Sequence, residues 1–264
     1  MLELANICKT FNIGTINEKK ALCGVNLRLQ EGDFVTVIGG NGAGKSTMLN
    51  AIAGVWPVDG GTISINGIDV TGLPEHRRAA YIGRVFQDPM MGTAANMSIE
   101  ENLAMALRRG KRRTLRWGIT KAERERYHDE LKKLGLGLEG RMTSKVGLLS
   151  GGQRQAITLL MSALQKPRLL LLDEHTAALD PATAAKVLEL TDQIVENNKL
   201  TALMITHNMT EAIRHGNRLL MMNAGRIILD IAGEEKKNLK KADLLQKFAE
   251  VAGVQEETDS VLLS

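Results

Sequence analysis

The sequence predicts an α/β fold with a mainly parallel sheet. Residues 34–38 form a short apolar, β-branched run that is followed by a glycine-rich segment and then by a helical pattern. Residues 169–172 are consecutive leucines, and an uninterrupted apolar strand is typical of a parallel sheet covered on both faces. Alternating strands and a hairpin signal precede residue 71, whereas helical patterns dominate residues 88–165. The sequence therefore predicts a parallel core, an antiparallel β-subdomain and an inserted α-helical subdomain.

The composition of the 264-residue chain is ordinary for a soluble globular protein, with 44% hydrophobic and 24% charged residues. No apolar run reaches the roughly 18 residues that a membrane span requires, and the first residues do not resemble a secretory signal. The two cysteines, Cys8 and Cys23, suit a reducing cytosol. The net charge of +4 permits contact with an anionic surface without indicating one.

The first part of the chain reads as short strands. Alternating apolar and polar residues, together with an Asn-Gly hairpin signal at residues 66–67, predict strands at residues 2–7, 25–29, 62–65, 68–70 and 81–86. A polar loop is expected at residues 12–20. These strands make up the predicted antiparallel β-subdomain and its connection to the rest of the chain.

Helices alternate with apolar strands over the remainder of the chain. Capping patterns and apolar periodicity predict helices at residues 98–107, 120–134, 150–165, from Asp180 onward, and 242–251. Apolar runs predict strands at residues 169–174, 201–205, 218–222 and 226–230. The run from Arg108 to Arg116 is strongly basic. Three interpretations are open: a solvated loop, which we favour, a surface that faces the membrane, and a nucleic-acid contact, which we favour least.

Residues 39–47 form a phosphate-binding loop, which is the name used for them below. The pattern is Gly, four residues, then Gly-Lys-Ser, between a predicted strand and a predicted helix. Gly39, Gly42 and Gly44 would permit positive φ, so that backbone N–H groups and the helix N-terminus surround an anion. Lys45 would reach the β- and γ-phosphates, and the Ser46 hydroxyl would ligate magnesium.

An acidic pair, Asp173 and Glu174, follows the leucine run. Asp173 ends the strand, where it would hold magnesium directly or through water. Glu174 comes next and is placed to polarise an attacking water as the general base. A solvated strand end would also contain acids, but the phosphate-binding loop upstream favours the catalytic interpretation.

Residues 149–153, Leu-Ser-Gly-Gly-Gln, are called the signature segment below. Two consecutive glycines at a helix start expose N–H groups and Ser150 adds a hydroxyl, so the segment suits a second anion site. Two molecules arranged head-to-tail could each supply this segment to the nucleotide of the other. A capped helix with a flexible entry is the alternative.

The order and spacing of these motifs resemble those of the ATP-binding-cassette (ABC) ATPases over about residues 2–232. The resemblance rests on the phosphate-binding loop, Gln87, the signature segment, the acidic pair, residues 178–180 and His207. It implies the ABC ATPase fold, a phosphate-loop NTPase core. The implied ATP-binding domain spans residues 1–235 with a helical subdomain at about 88–165, and a short helical tail follows at 236–264.

The resemblance also implies roles for individual residues. Phe11 looks like the aromatic residue that stacks on adenine, although a core phenylalanine would fit equally. Gln87 looks like the glutamine that senses magnesium and the attacking water, and His207 like the switch histidine that contacts the γ-phosphate. Asp180 looks like the aspartate that communicates across a dimer, although helix capping alone would explain it. Gly40 and His175 stand where many members have proline, and neither replaces a catalytic group.

The implied site has three groups of residues. The catalytic residues would be Lys45, Gln87, Glu174 and His207, and the Mg²⁺ ligands Ser46, Gln87 and Asp173. The residues expected to contact ATP are Phe11, Gly39, Gly40, Asn41, Gly42, Ala43, Gly44, Lys45, Ser46, Thr47, Ser150, Gly151, Gly152, Gln153 and Asp180.

The resemblance implies a subunit that hydrolyses ATP to energise solute transport, with import favoured and amino acids or similar small solutes suggested. Its partners would be transmembrane permease subunits, a second copy in a head-to-tail ATP-bound dimer, and an extracytoplasmic solute-binding protein, with no nucleic acid. It would lie peripherally at the cytoplasmic face of the cell membrane. The alternatives are a soluble ABC ATPase without a transport role and the ATPase of an exporter or lipoprotein-release complex. A GTPase is disfavoured because Thr201 breaks the nearest match to a guanine-reading Asn-Lys-x-Asp pattern.

Overall fold

The computed structural model describes residues 1–111 and 118–252. The chain divides into two compact units. The first unit comprises residues 1–78 and the described residues from 201 onward, and the second comprises residues 79–200. No helix among the described residues is both long enough and apolar enough to cross a bilayer.

The strands are β1 (Leu2–Phe11), β2 (Lys19–Leu29), β3 (Phe34–Ile38), β4 (Gly60–Ile65), β5 (Ile68–Asp69), β6 (Ile82–Val85), β7 (Leu169–Asp173), β8 (Thr201–Ile205), β9 (Arg218–Asn223) and β10 (Arg226–Ala232). The helices are α1 (Lys45–Ala53), α2 (Glu75–Arg78), α3 (Ile99–Leu107), α4 (Lys121–Lys133), α5 (Gly151–Ala163), α6 (Pro181–Asn198), α7 (Met209–Arg214), α8 (Gly233–Lys237) and α9 (Lys241–Ala252). Two 3₁₀ turns span Glu139–Arg141 and Val146–Leu148.

The first unit contains an antiparallel sheet in the order β2-β1-β4-β5. The turn between β4 and β5 has positive φ at both Asn66 (52°) and Gly67 (75°), as the predicted hairpin requires. The leucines and isoleucines of β1 and β4 are buried, whereas their polar neighbours are exposed or half-buried. The predicted β-subdomain is therefore present, and β2 begins earlier than predicted, at Lys19.

The first unit also contains the parallel strands that carry the phosphate-binding loop. Strand β3 is buried along its whole length and pairs in parallel with β8 on one side and β9 on the other. Strand β10 pairs antiparallel with β9. A central strand that is buried on both faces has no solvent-facing side, which explains why its sequence does not alternate. A cluster that includes Ile38, Met221, Leu244 and Phe248 packs α7 and α9 against this sheet.

A buried arginine holds the C-terminal end of α1. The Arg78 guanidinium donates hydrogen bonds to the carbonyl oxygens of Ala51 (2.8 Å) and Ile52 (2.9 Å) in the last turn of α1. It also donates to Leu73 O (2.8 Å) and Thr71 O (2.9 Å). These bonds satisfy carbonyls that a helix end leaves without intrahelical partners. The helix that follows the phosphate-binding loop is thus capped by a cation at its far end.

The second unit combines two parallel strands with helices. Strand β6 pairs with β7, with Val85 opposite Leu172. Helices α3 and α4 begin with reciprocal capping boxes at Ser98 and Thr120, and the serine had been predicted from the sequence. Helix α6 begins after Asp180 with Pro181 in its first turn, also as predicted.

Several boundaries differ from those predicted. Strand β6 spans Ile82–Val85 and not residues 81–86, and α5 ends at Ala163, before the predicted residue 165. The C-terminal region has a short helix, α8, that was not predicted, in addition to α9. Both cysteines are free, as expected. Most of the basic run lies outside the described residues, because 112–117 are not among them. The division into a 1–235 domain, a subdomain and a tail stays a prediction.

Candidate functional site

The phosphate-binding loop connects the end of β3 to the start of α1. Gly39, Gly42 and Gly44 have φ values of 151°, 80° and 102°, so the predicted positive φ is present at all three positions. Gly44 is the N-cap of α1, and no side chain caps this helix end. The first-turn N–H groups are therefore not used by a side-chain cap, which suits a helix start that binds an anion.

Close backbone contacts fix the shape of the loop. A Cβ on Gly44 would lie 2.6 Å from Ala21 O, and one on Gly39 would clash with the carbonyl oxygen of Met222. The N–H of Gly225, in the turn between β9 and β10, donates to Ala43 O (3.0 Å). The glycines are thus required by packing within the first unit as well as by their φ angles.

Lys45 is buried, with 7% of its surface exposed. Its ammonium donates to the carbonyl oxygens of Gly39 (2.7 Å) and Gly40 (3.3 Å). These hydrogen bonds therefore keep the Lys45 ammonium within the phosphate-binding loop. Ser46, the next residue, is exposed, and Thr47 is half-buried.

Phe11 and His207 are the other predicted site residues in the first unit. The Phe11 ring makes an edge-on contact with Trp56, with centroids 4.9 Å apart and planes at 80°. His207 is exposed and follows β8, which neighbours β3; the N–H of Thr206 donates to Val37 O (3.1 Å). Because β3 and β8 are parallel, His207 and the phosphate-binding loop leave the sheet at the same edge.

The second unit holds the acidic pair at the end of β7. The Asp173 carboxylate forms an ion pair with Arg84 of β6, with 3.7 Å between nitrogen and oxygen. Glu174 has φ of 43°, which is unusual for a residue with a side chain and is often found at functional sites. Its carbonyl oxygen accepts from the N–H of Ala177 (3.0 Å). Gln87 lies two residues beyond β6, so it and the acidic pair leave their parallel strands at the same edge.

The signature segment begins α5 with a capping box. The Ser150 hydroxyl oxygen accepts from the N–H of Gln153, and the Gln153 side chain accepts from the N–H of Ser150, each at 3.3 Å. A Cβ on Gly152 would clash with Thr183 of α6, so this glycine also lets the two helices pack. The cap that the alternative interpretation expected is thus present, and it leaves the Ser150 proton available to a ligand.

An open pocket of about 330 Å³ adjoins the signature segment. Ser150, Gly152 and Gln153 line it together with Leu136 and with residues of α6, including Lys186. Asp180 caps α6 by accepting from the N–H of Thr183 (3.1 Å), and the hydrogen bonds from Thr183 lower the pKa of its carboxyl. The capping function proposed for Asp180 is therefore present.

His175, one of the departures from the family pattern, directly follows the acidic pair and is buried. Its Nε2 lies 2.9 Å from the Thr191 hydroxyl, which itself donates to Val187 O (2.8 Å). Because the hydroxyl proton is already used, His175 Nε2 is the donor in this pair. The histidine thus anchors the segment after Glu174 to α6.

Each unit contains an oxygen donor of the kind that magnesium accepts. Across residues 1–111 and 118–252, no group of three or more His, Cys, Asp or Glu side chains is arranged to hold a metal. Magnesium commonly takes one or two protein oxygens and completes its shell with phosphates and water. The exposed Ser46 hydroxyl and the Asp173 carboxylate are oxygen donors of this kind.

Comparison with known proteins identifies the family. Residues 22–177 match the family model described as ABC transporter. The chain is 41% identical over 248 residues to the tyrosine transport ATP-binding protein of Clostridioides difficile (strain R20291), covering 94% of this chain and 98% of that one. The chain belongs to the ABC transporter family.

Other relatives and structures agree with this membership. The methionine import ATP-binding protein MetN of Bartonella henselae is 34% identical over 231 residues, and the match covers 86% of this chain but 64% of MetN. The dimeric, post-hydrolysis structure of the ATP-binding cassette MJ0796 bound to ADP and Pi is 30% identical with a TM-score of 0.74, covering 88% of this chain and 98% of that one. The ADP conformation of MJ1267, another cassette, is 27% identical with a TM-score of 0.75 and covers 94% and 98%.

The predicted ABC ATPase fold, with its parallel core, antiparallel β-subdomain and inserted helices, is confirmed.

Two partners of site residues in this ABC ATPase were not predicted. Arg84 pairs with Asp173 and lies 4.6 Å from the centroid of the Phe86 ring, and Trp56 contacts Phe11. An arginine within the otherwise apolar strand at residues 81–86 is a signal that could have identified the pairing of Arg84 with Asp173. Nothing in the sequence near Trp56 indicates its contact with Phe11.

Proposed function

We propose that this ABC ATPase energises the import of an amino acid or a similar small solute through separate transmembrane permease subunits. The observation that carries the proposal is the likeness to a tyrosine transport ATP-binding protein along nearly the whole of both chains. The likeness to MetN importers supports the same class of solute, although the chain spans 64% of that MetN. The permease and an extracytoplasmic solute-binding protein would determine which solute is carried.

The proposed site residues act on the phosphates of ATP. Loop N–H groups and Lys45 bind the phosphate oxygens, and Phe11 contacts the adenine. Glu174 accepts a proton from the attacking water, while Gln87 and His207 orient the water and the γ-phosphate. Ser46, Gln87 and Asp173 would hold Mg²⁺, which neutralises phosphate charge when it is bound.

The signature segment completes the site of a second copy. Ser150 keeps a hydroxyl proton to donate, and the N-terminus of α5 favours negative charge. Each nucleotide would then contact both chains of a head-to-tail dimer, so that ATP stabilises the closed dimer by mass action. Asp180 is the exposed N-cap of α6 in the same unit and would communicate across that dimer. We place the assembly at the cytoplasmic face of the cell membrane, with this chain bound peripherally.

Co-purification from native membranes tests the transport proposal. The tagged chain, extracted in mild detergent, is expected to bring down a protein with several membrane spans, identified by mass spectrometry. Purified complex in proteoliposomes should then accumulate radiolabelled amino acid only when ATP is supplied. Recovery solely with soluble ribosomal, nucleic-acid or assembly proteins would contradict transport and support the alternative of a soluble ABC ATPase.

A further inference from the structure

We propose that Lys19 is a further nucleotide-binding residue, whose ammonium contacts a phosphate of the ATP held by the phosphate-binding loop. This inference rests on the proposed function, since it requires a nucleotide at that loop. Lys19 was predicted to lie in a polar loop, and the structure places it instead at the start of β2.

The backbone of Lys19 lies next to that of Phe11, the residue proposed to contact adenine. In the antiparallel pair of β1 and β2, Lys19 is directly opposite Phe11. Side chains of directly opposite residues project on the same face of the sheet. The Lys19 side chain therefore starts on the same face as the Phe11 ring.

The other end of the Lys19 side chain reaches the phosphate-binding loop. A Cβ on Gly42, in the middle of the loop, would lie 3.1 Å from Lys19 Nζ and 4.0 Å from its Cε. The side chain thus extends from the position of Phe11 to the backbone of the loop. A nucleotide with its base at Phe11 and its phosphates in the loop would follow the same path.

The charge of Lys19 is not neutralised by the protein. Within the part of the chain that the structure describes, Lys19 has no ion pair and no side-chain hydrogen bond. Nearby Lys9, by contrast, pairs with Asp59 at 2.9 Å. A second ammonium at the loop that already holds Lys45 and a set of N–H groups raises the positive potential of the loop, and a bound polyphosphate relieves that repulsion. Lys19 is also exposed, so its contribution is expected to be moderate.

Substitutions that separate charge from shape test this role. Lys19→Met keeps the aliphatic stem and removes the charge, so it should weaken ATP binding about three- to tenfold, as expected for one charge-assisted contact at an exposed site. Lys19→Arg keeps the charge and should bind ATP nearly as well as the unchanged chain. Lys20→Met is the matched control, because Lys20 is also exposed but is the next residue of the strand and projects on the opposite face.

Calorimetric titration with ATP at two salt concentrations provides the measurement. The difference between Lys19→Met and the unchanged chain should shrink as salt rises, because salt screens an exposed ammonium. Unfolding midpoints without nucleotide should be equal for all variants. If Lys19→Met binds ATP as tightly as Lys20→Met, or if Lys19→Arg fails to restore affinity, the inference is wrong. Lys45→Ala, measured in parallel, separates the two proposals: if it too binds ATP normally, the proposed nucleotide site itself fails.

Discussion

Lys45 is a buried cation whose ammonium donates to backbone oxygens of its own loop. These carbonyls are weak substitutes for a phosphate, because each carries a partial charge whereas a phosphate oxygen carries a larger share of a full one. When a nucleotide binds, the ammonium would exchange loop carbonyl oxygens for phosphate oxygens. Removing the ammonium should therefore affect ATP binding more than it affects the fold.

We expect Lys45→Ala to weaken ATP binding by about tenfold or more, which corresponds to the loss of at least one strong charge-assisted interaction. Isothermal titration calorimetry measures this directly. Lys121→Ala, an exposed lysine in the first turn of α4, is the control and should bind ATP like the unchanged chain. Unchanged ATP affinity in Lys45→Ala would show that the loop does not bind phosphates in the proposed way.

The sequence predicts residues whose role depends on local spacing and misses those whose role depends on register. The positive φ of Gly39 and Gly44 follows from a pattern within one loop, and both are as predicted. The pairing of Arg84 with Asp173 requires β6 and β7 to be neighbours, although the two residues are far apart in the sequence. Such a contact can be derived only when strand order is known.

Helix α1 is stabilised differently at its two ends. Its N-terminus has no side-chain cap, which leaves that end suited to an anion, while Arg78 binds carbonyls at its C-terminus. Burial lowers the pKa of the Arg78 guanidinium, but its ordinary pKa is high enough that it stays charged at neutral pH. The cation at the C-terminus complements the helix dipole.

We expect Arg78→Met to destabilise the protein by about 2–4 kcal/mol, because several buried carbonyls lose their donor at once. Urea unfolding followed by circular dichroism measures the change. Arg77→Met is the matched control, since Arg77 is the exposed neighbour in the same short helix, and it should change stability by less than about 0.5 kcal/mol. Equal stability of the two variants would rule out the capping role of Arg78.

At the level of elements, capping patterns predicted helix starts more reliably than residue polarity predicted the start of β2. Ser98 and Asp180 cap their helices as predicted, since a cap and its helix are local in sequence. The early start of β2 was missed in part because its first two residues, Lys19 and Lys20, are charged; in the structure they pair with Phe11 and Thr10. The sequence shows their polarity, but not the partner strand.

At the level of the whole molecule, Glu174→Gln should separate ATP binding from hydrolysis. The variant keeps the shape of the side chain and loses the proton acceptor, so phosphate release should fall about 100-fold or more. Bound ATP would then persist and hold two copies together, giving a dimer in light scattering when ATP and Mg²⁺ are present.

Glu189→Gln, at an exposed position of α6, is the control and should hydrolyse ATP normally and remain monomeric at the same concentration. Near-normal turnover by Glu174→Gln would remove Glu174 as the general base. Slow turnover without dimer formation would leave that role intact and contradict the composite site.

The fold class of the whole molecule was predictable because the motifs occur in a fixed order, from the phosphate-binding loop through the signature segment to His207. The solute was not, because none of these motifs contacts it in the proposed mechanism. Each acts on ATP, and transport specificity would belong to other chains.

The contact between Phe11 and Trp56 also provides an optical reporter of the proposed adenine site. The sequence contains two tryptophans, Trp56 and Trp117, so a Trp117→Phe variant has a single indole. Indole emission depends on the polarity and mobility of its surroundings, and Trp56 makes a T-shaped contact with the ring on which the base would stack. Stopped-flow fluorescence of that variant could time the arrival and departure of unlabelled nucleotide, and thus separate base docking from the slower chemical step.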